Sequence, residues 1–223
     1  MKFNKETWKY LIFGLISLAL IPLSNIVLLF EPLYENVYYG TLTKLYNDIL
    51  KLIFWIVSSV ILSKVSKKVL GFNPLRSPVE SRKEELPIKN VILLTLIAAS
   101  CIALVSYNVG WQVKILADLG ERYTGLQLEL ALGEWASVVG KMFVVIMMLN
   151  FFQEGMEKSY PTKFIPWGGI LLFFTFGLYE LIAGSTTMPL VYLGFTLVYG
   201  IIHLLTHKNF FKSIFLIYFI YLL

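Results

Sequence analysis

A chain of 223 residues with 57% hydrophobic and 16% aromatic side chains and a mean hydropathy of +0.73 lies outside the range of water-soluble domains. Its net charge of +5 comes from lysines and arginines gathered beside apolar segments, where they meet anionic headgroups, so nucleic acid is excluded as the partner. The single Cys101 sits in the apolar run Leu96 to Val105, which rules out an intrachain disulfide and a cysteine zinc cluster and reads as a buried, inert thiol.

These properties predict an all-α polytopic membrane bundle, one domain over residues 1–223. A span takes about 20 largely apolar residues, so there is room for six to seven transmembrane helices. The N-terminal Met-Lys-Phe-Asn-Lys before an apolar run imitates a secretory signal. That run is too long and ends in Phe30-Glu31-Pro32 without a small-residue cleavage pattern, so it reads as a retained first span, Trp8 to Phe30. Pro22 inside it predicts a bend. Glu31 to Asp48 is polar, with Tyr34, Tyr38, Tyr39 and Tyr46 suited to a membrane interface. Ile49 to Val65 is the second span, with Lys51 and Lys64 snorkelling toward opposite headgroup layers. Residues 66–90 form a hydrophilic loop, in which Pro74, Pro78 and Pro87 forbid a continuous helix.

Val91 to Tyr107 closes an N-terminal three-helix part, residues 1–107. Residues 108–135 read as an outer interfacial segment, with a short helix in Gly110 to Trp135 leading to the next span. Residues 136–223 then hold Ala136 to Phe152, Trp167 to Ala183, Pro189 to Leu205 and a final apolar segment, Phe210 to Leu223. Gly184 to Thr187 is a tight outer turn. Most Lys and Arg fall in segments that this threading puts on one side, which predicts a multi-pass cell-membrane protein with a cytoplasmic N-terminus.

Two segments of this last part stand out. The fourth span ends in Gln153-Glu154-Gly155-Met156-Glu157-Lys158, and the fifth carries Phe176-Gly177-Leu178-Tyr179-Glu180. Carboxylates near or inside a span are costly and ask for a reason. The two segments resemble the Glu-Glu-x-x-x-Arg and Phe-x-x-x-His motifs of the CAAX protease and bacteriocin-processing (CPBP, or Abi) family of intramembrane metalloproteases. Gly200-Ile201-Ile202-His203-Leu204-Leu205-Thr206 followed by Phe210-Phe211-Lys212-Ser213-Ile214 is similar to that family's turn between its last two core helices. The resemblance runs from about Ala136 to the C-terminus and implies a CPBP-like core.

It also implies a dismantled site. Glu154 and Phe176 match; Gln153 replaces the first glutamate, Lys158 the arginine and Glu180 the histidine. Where the third motif would supply histidine and asparagine stand Ile217 and Tyr221. A neutral amide at Gln153 loses a general base, and the lost histidines remove nitrogen ligands for a divalent metal, leaving Glu154 and Glu180 as weak oxygen ligands. No cofactor is expected, and a divalent metal only if the chain is a peptidase.

Plainer readings stand beside these. Glu154, Glu157 and Lys158 also fit a solvated inner helix end. Glu180, with no charged residue within ten on either side, fits an interhelical ion pair with Lys141. His203 reads as a hydrogen-bonded packing residue and His207 as a solvated loop residue. Gly168, Gly169, Gly177, Gly184, Gly194 and Gly200 read as close helix contacts, since no strand precedes them as a phosphate cradle requires.

The leading expectation is a non-catalytic CPBP-like membrane protein. It would act as binding partner, scaffold or regulator of another membrane or cell-envelope protein, or as a bacteriocin immunity protein. The surfaces expected for this are the groove of the fourth to seventh helices and the tyrosine-rich outer segment. A divergent metal-dependent intramembrane endopeptidase is the alternative. A small transporter using Glu180 and Lys141 is third, without a visible inverted repeat.

Overall fold

The computed structural model of the chain describes the backbone of residues 3–30, 41–76, 86–108, 127–162, 164–183 and 189–222. All regular structure among the described residues is helical. Helix α1 spans Lys5–Leu23 and opens on Asn4, whose Oδ1 accepts a hydrogen bond from the Thr7 amide at 2.7 Å, a standard N-cap. Pro22 stands in its last turn, after which the chain tightens into a 3₁₀ segment, Ser24–Phe30. Helix α2 is Thr41–Leu70, closed by Gly71 at φ +68°, a left-handed cap that glycine adopts without steric cost. Helix α3 is Ile88–Asn108 and α4 is Gln127–Ser159. Next come α5, Trp167–Leu172, a π turn, Phe173–Gly177, and α6, Leu178–Ala183, in one rod. Helices α7, Pro189–Leu205, and α8, Phe210–Leu222, complete the bundle.

Three helical stretches, Lys5–Leu29, Thr43–Leu70 and Ala131–Ser159, are long and apolar enough to cross a membrane. They play different parts. Helix α4 is the axle: α1, α2, α5 and α8 all pack on it, and Val144 to Leu149 have no exposed surface. Helices α1 and α2 bury one side only. Ile12, Leu15 and Ile16 of α1, and Ile53, Val57 and Ile61 of α2, face outward. A helix apolar on both faces is the pattern expected where lipid takes the place of water.

Several boundaries differ from the sequence reading. The second span was expected at Ile49, yet α2 starts at Thr41, because Thr43 and Asn47 are buried and give its first turns a packing face. Helix α4 does not stop at Phe152 but continues to Ser159. Gln153, Gly155 and Met156 are buried there, and a Cβ on Gly155 would lie 2.7 Å from that of Tyr10. At the other end the entry into this span begins at Gln127, and residues 109–126, which hold most of the segment read as interfacial, lie outside the described residues. The tyrosines Tyr34, Tyr38 and Tyr39 and the turn Gly184 to Thr187 lie outside the described residues.

Candidate functional site: a buried polar network at the basic end

One end of the bundle gathers the start of α1, the end of α2, the start of α3, the end of α4, the start of α5 and the α7–α8 turn. Hydrogen bonds tie these pieces together. The Asn4 amide donates to Ser159 Oγ at 3.2 Å, and the Thr7 and Ser159 hydroxyls meet at 2.6 Å. Asn90 Nδ2 donates to the Leu205 carbonyl at 3.1 Å, and Asn150 Nδ2 to the Pro74 carbonyl at 2.9 Å. Lys5, Lys9, Lys64, Lys67, Lys68, Arg76, Lys89, Lys158, Lys208 and Lys212 belong to the segments meeting here.

At the centre lies His203, 1% exposed, near the end of α7. Its Nε2 is 3.0 Å from Asn150 Oδ1 and its Nδ1 is 2.8 Å from Ser213 Oγ. The Asn150 amide is oriented by its donation to Pro74, so Oδ1 faces the ring and Nε2 carries the proton. Nδ1 is then an acceptor, and Ser213 donates to it. Thr206 Oγ1 sits 2.7 Å from Ser213 Oγ and 3.0 Å from the His203 carbonyl. The imidazole is neutral, with both nitrogens engaged.

The second half centres on Gln153, also 1% exposed. Its Oε1 accepts from the Gly168 amide at 2.8 Å, at the start of α5, and its Nε2 donates to the Ile165 carbonyl at 3.1 Å and to Glu157 Oε1 at 2.7 Å. The other Glu157 oxygen takes the Lys208 ammonium. Gly168 permits this docking, since a Cβ there would fall 2.7 Å from the Leu149 carbonyl oxygen. A carboxylate at position 153 could not donate the Ile165 bond and would face Glu157, so the amide that looks like a lost base is the group this position uses. The turn carrying Lys208 holds His207 and Lys208 both at φ 57°, an uncommon conformation for residues with a Cβ. His207 is half-buried there, not the solvated loop residue expected.

The Asn150–His203–Ser213 line has the connectivity of an orienter, a base and a hydroxyl nucleophile. Its burial denies it that chemistry. Ser213 and Thr206 have no exposed surface, and no substrate carbonyl reaches Ser213 Oγ without dismantling the helix ends. What the network does is lock helix termini together, satisfying polar groups that would each cost about 1–3 kcal/mol if buried unpaired.

The motif-equivalent residues fall elsewhere. Glu154 pairs with Lys158 at 3.7 Å on a partly exposed helix end. Gln153 is level with Gly168, whereas Phe176 is level with Lys141, whose Nζ lies 5.1 Å from the Phe176 ring centre. Glu180 follows in α6, about 18 Å along the rod from Gly168 at 1.5 Å per residue. The backbone thus separates Glu154 from Glu180. The Glu180 side chain, and so its expected pair with Lys141, lies outside the described residues, as does the Tyr221 side chain. No three metal-ligating side chains converge among the described residues, a set that leaves out the Glu180 side chain. Of the glycines, Gly169 and Gly200 touch backbone to backbone and Gly177 meets Leu193, while Gly194 faces open space and Gly184 lies outside the described residues.

Asn150, Thr206 and Ser213 were not singled out as site residues from sequence. The signal for Asn150 is its place in Met147-Met148-Leu149-Asn150-Phe151-Phe152, a lone amide in an apolar run. Fold and site together define an all-helical protein with span-length apolar helices and a polar core at one end. No family model, curated protein or solved structure matches the chain.

Proposed function

We propose that the chain is a multi-pass membrane protein that acts by binding another membrane or cell-envelope protein, as scaffold, regulator or immunity factor, with a CPBP-like core and without hydrolysis of its own. One observation carries this reading: the polar side chains that look most like catalytic equipment, Gln153, His203 and Ser213, direct their hydrogen bonds into the protein. A working hydrolase keeps a base and a nucleophile open to substrate. The separation of Glu154 from Glu180 adds support, because a peptidase would need them together.

The orientation follows from charge. The bundle end rich in Lys and Arg is cytoplasmic and carries the N-terminus, and the opposite end, with Lys44 and Lys51 on α2, faces outward. In this reading six to seven helices cross the bilayer, the shorter ones over α5 to α8 among them.

The test is cross-linking in intact membranes followed by purification in mild detergent, alongside Glu154→Gln and Glu180→Gln variants. A stoichiometric envelope protein, retained in both variants, is the expected result. Cleavage of a membrane peptide by the purified protein that either substitution abolishes would overturn the proposal.

A further inference from the structure

Lysines at the basic end fall into two groups. Lys9, Lys158 and Lys208 are paired with Glu6, Glu154 and Glu157. Lys64, Lys67 and Lys68, in the last two turns of α2, are exposed, and their ammonium groups have no ion pair or hydrogen bond among the described residues. The backbone beneath them is held firmly. The Gly71 amide donates to the Lys67 carbonyl at 3.1 Å, Ser63 Oγ to Asn73 Oδ1 at 2.6 Å and Ser66 Oγ to the Phe72 carbonyl at 3.0 Å.

Two of these lysines end an apolar strip. At 100° per residue, Ile53, Val57, Ile61, Lys64 and Lys68 all lie within about 40° of one line along α2. All five are exposed. The line runs on the side of α2 opposite Trp55, Ser59, Ser63 and Ser66, which are buried, so it faces away from the bundle. Lys67 stands to one side of it. From Lys64 to Ile53 the strip measures about 16 Å at 1.5 Å per residue, which matches the depth of one leaflet, half of a hydrocarbon layer about 30 Å thick.

We propose that this strip is a binding site for one anionic phospholipid, its phosphate between the Lys64 and Lys68 ammonium groups and an acyl chain along Ile61, Val57 and Ile53. The two lysines, one turn apart and about 6 Å in rise, bring two unpaired cations to a single phosphate at the level where α2 leaves the hydrocarbon. Charge selects the headgroup, and the apolar strip selects a lipid over a free phosphate. The site rests on the placement of α2 in a bilayer and not on the proposed protein partner.

The test uses the full chain in nanodiscs of phosphatidylglycerol and phosphatidylcholine with identical acyl chains, with retained lipid counted by native mass spectrometry. Phosphatidylglycerol is expected to be kept in preference to phosphatidylcholine, and Lys64→Ala with Lys68→Ala should cut that preference by about tenfold or more. Lys64→Arg with Lys68→Arg should preserve it. Lys5→Ala with Lys89→Ala removes the same charge from α1 and α3 and should change it by less than about twofold. Equal losses in the two alanine pairs would mean diffuse attraction and overturn the site. Glycerol 3-phosphate, which has no acyl chain, should not displace the lipid even in about hundredfold excess; displacement would overturn the assignment to a lipid. A chain that inserts and keeps both lipids equally would overturn the site alone, and one that stays outside the nanodisc would overturn the bilayer placement with it.

Discussion

The two ends of α4 solve different problems. At the basic end Asn150, Gln153 and Glu157 are tied to α5, the α7–α8 turn and the chain after α2; Asn150 and Gln153 are buried and bonded to protein, and the half-buried Glu157 takes Lys208. At the other end α4 meets its neighbours through a part-exposed Lys44–Glu134 pair at 3.2 Å, a Tyr218 hydroxyl on the Trp135 carbonyl at 3.2 Å and the seam beside Asp48. Rigidity is concentrated where many helix termini converge, since each terminus brings backbone groups that must be paired. Where only helix sides meet, small residues and surface charge suffice.

Substitutions should divide along the same line. The largest effect is expected at the backbone contact of α5 with α7. Gly200→Val would force its side chain into Gly169, costing about 3 kcal/mol or more, read as loss of folded protein after extraction in mild detergent. His203→Ala comes next, leaving Asn150 and Ser213 without their shared partner; thermal unfolding should show a loss of about 2–4 kcal/mol. Gln153→Glu restores the residue expected of the peptidase motif, which makes it the sharpest of the series. It should destabilise by about 1–3 kcal/mol, by facing Glu157 and dropping the Ile165 bond, and confer no cleavage of a membrane peptide. Lys44→Ala, at the opposite end, should shift the unfolding midpoint by no more than about 0.5 kcal/mol in equivalent stability, because an exposed ion pair is screened. Comparable losses at Lys44 and His203 would erase the distinction between the two ends.

Much of the fold is legible in the residues. The helices Ile88–Asn108, Pro189–Leu205 and Phe210–Leu222 fall close to the apolar runs predicted for them, and the π turn lies inside the expected fifth span. The errors cluster where polar residues are helical. Thr43 and Asn47 look like loop, and Gln153 to Lys158 look like a helix end, because a one-dimensional reading charges a polar side chain to solvent. Packed against α4 or capping α5, the same side chains extend a helix. Gln153 shows the limit most clearly: its identity suggested a lost base, and its neighbours reveal an amide using both faces.

The sequence by itself determined that the chain is helical, apolar around its helices and basic in the segments that meet at one end, because hydropathy and charge are properties of residues one at a time. The tertiary structure alone decided that α4 is the axle, that Glu154 and Glu180 stand far apart, and that His203 is locked between Asn150 and Ser213. Those facts depend on which helix faces which and at what level, and that is set by the mutual packing of glycines, amides and helix ends distant in the chain.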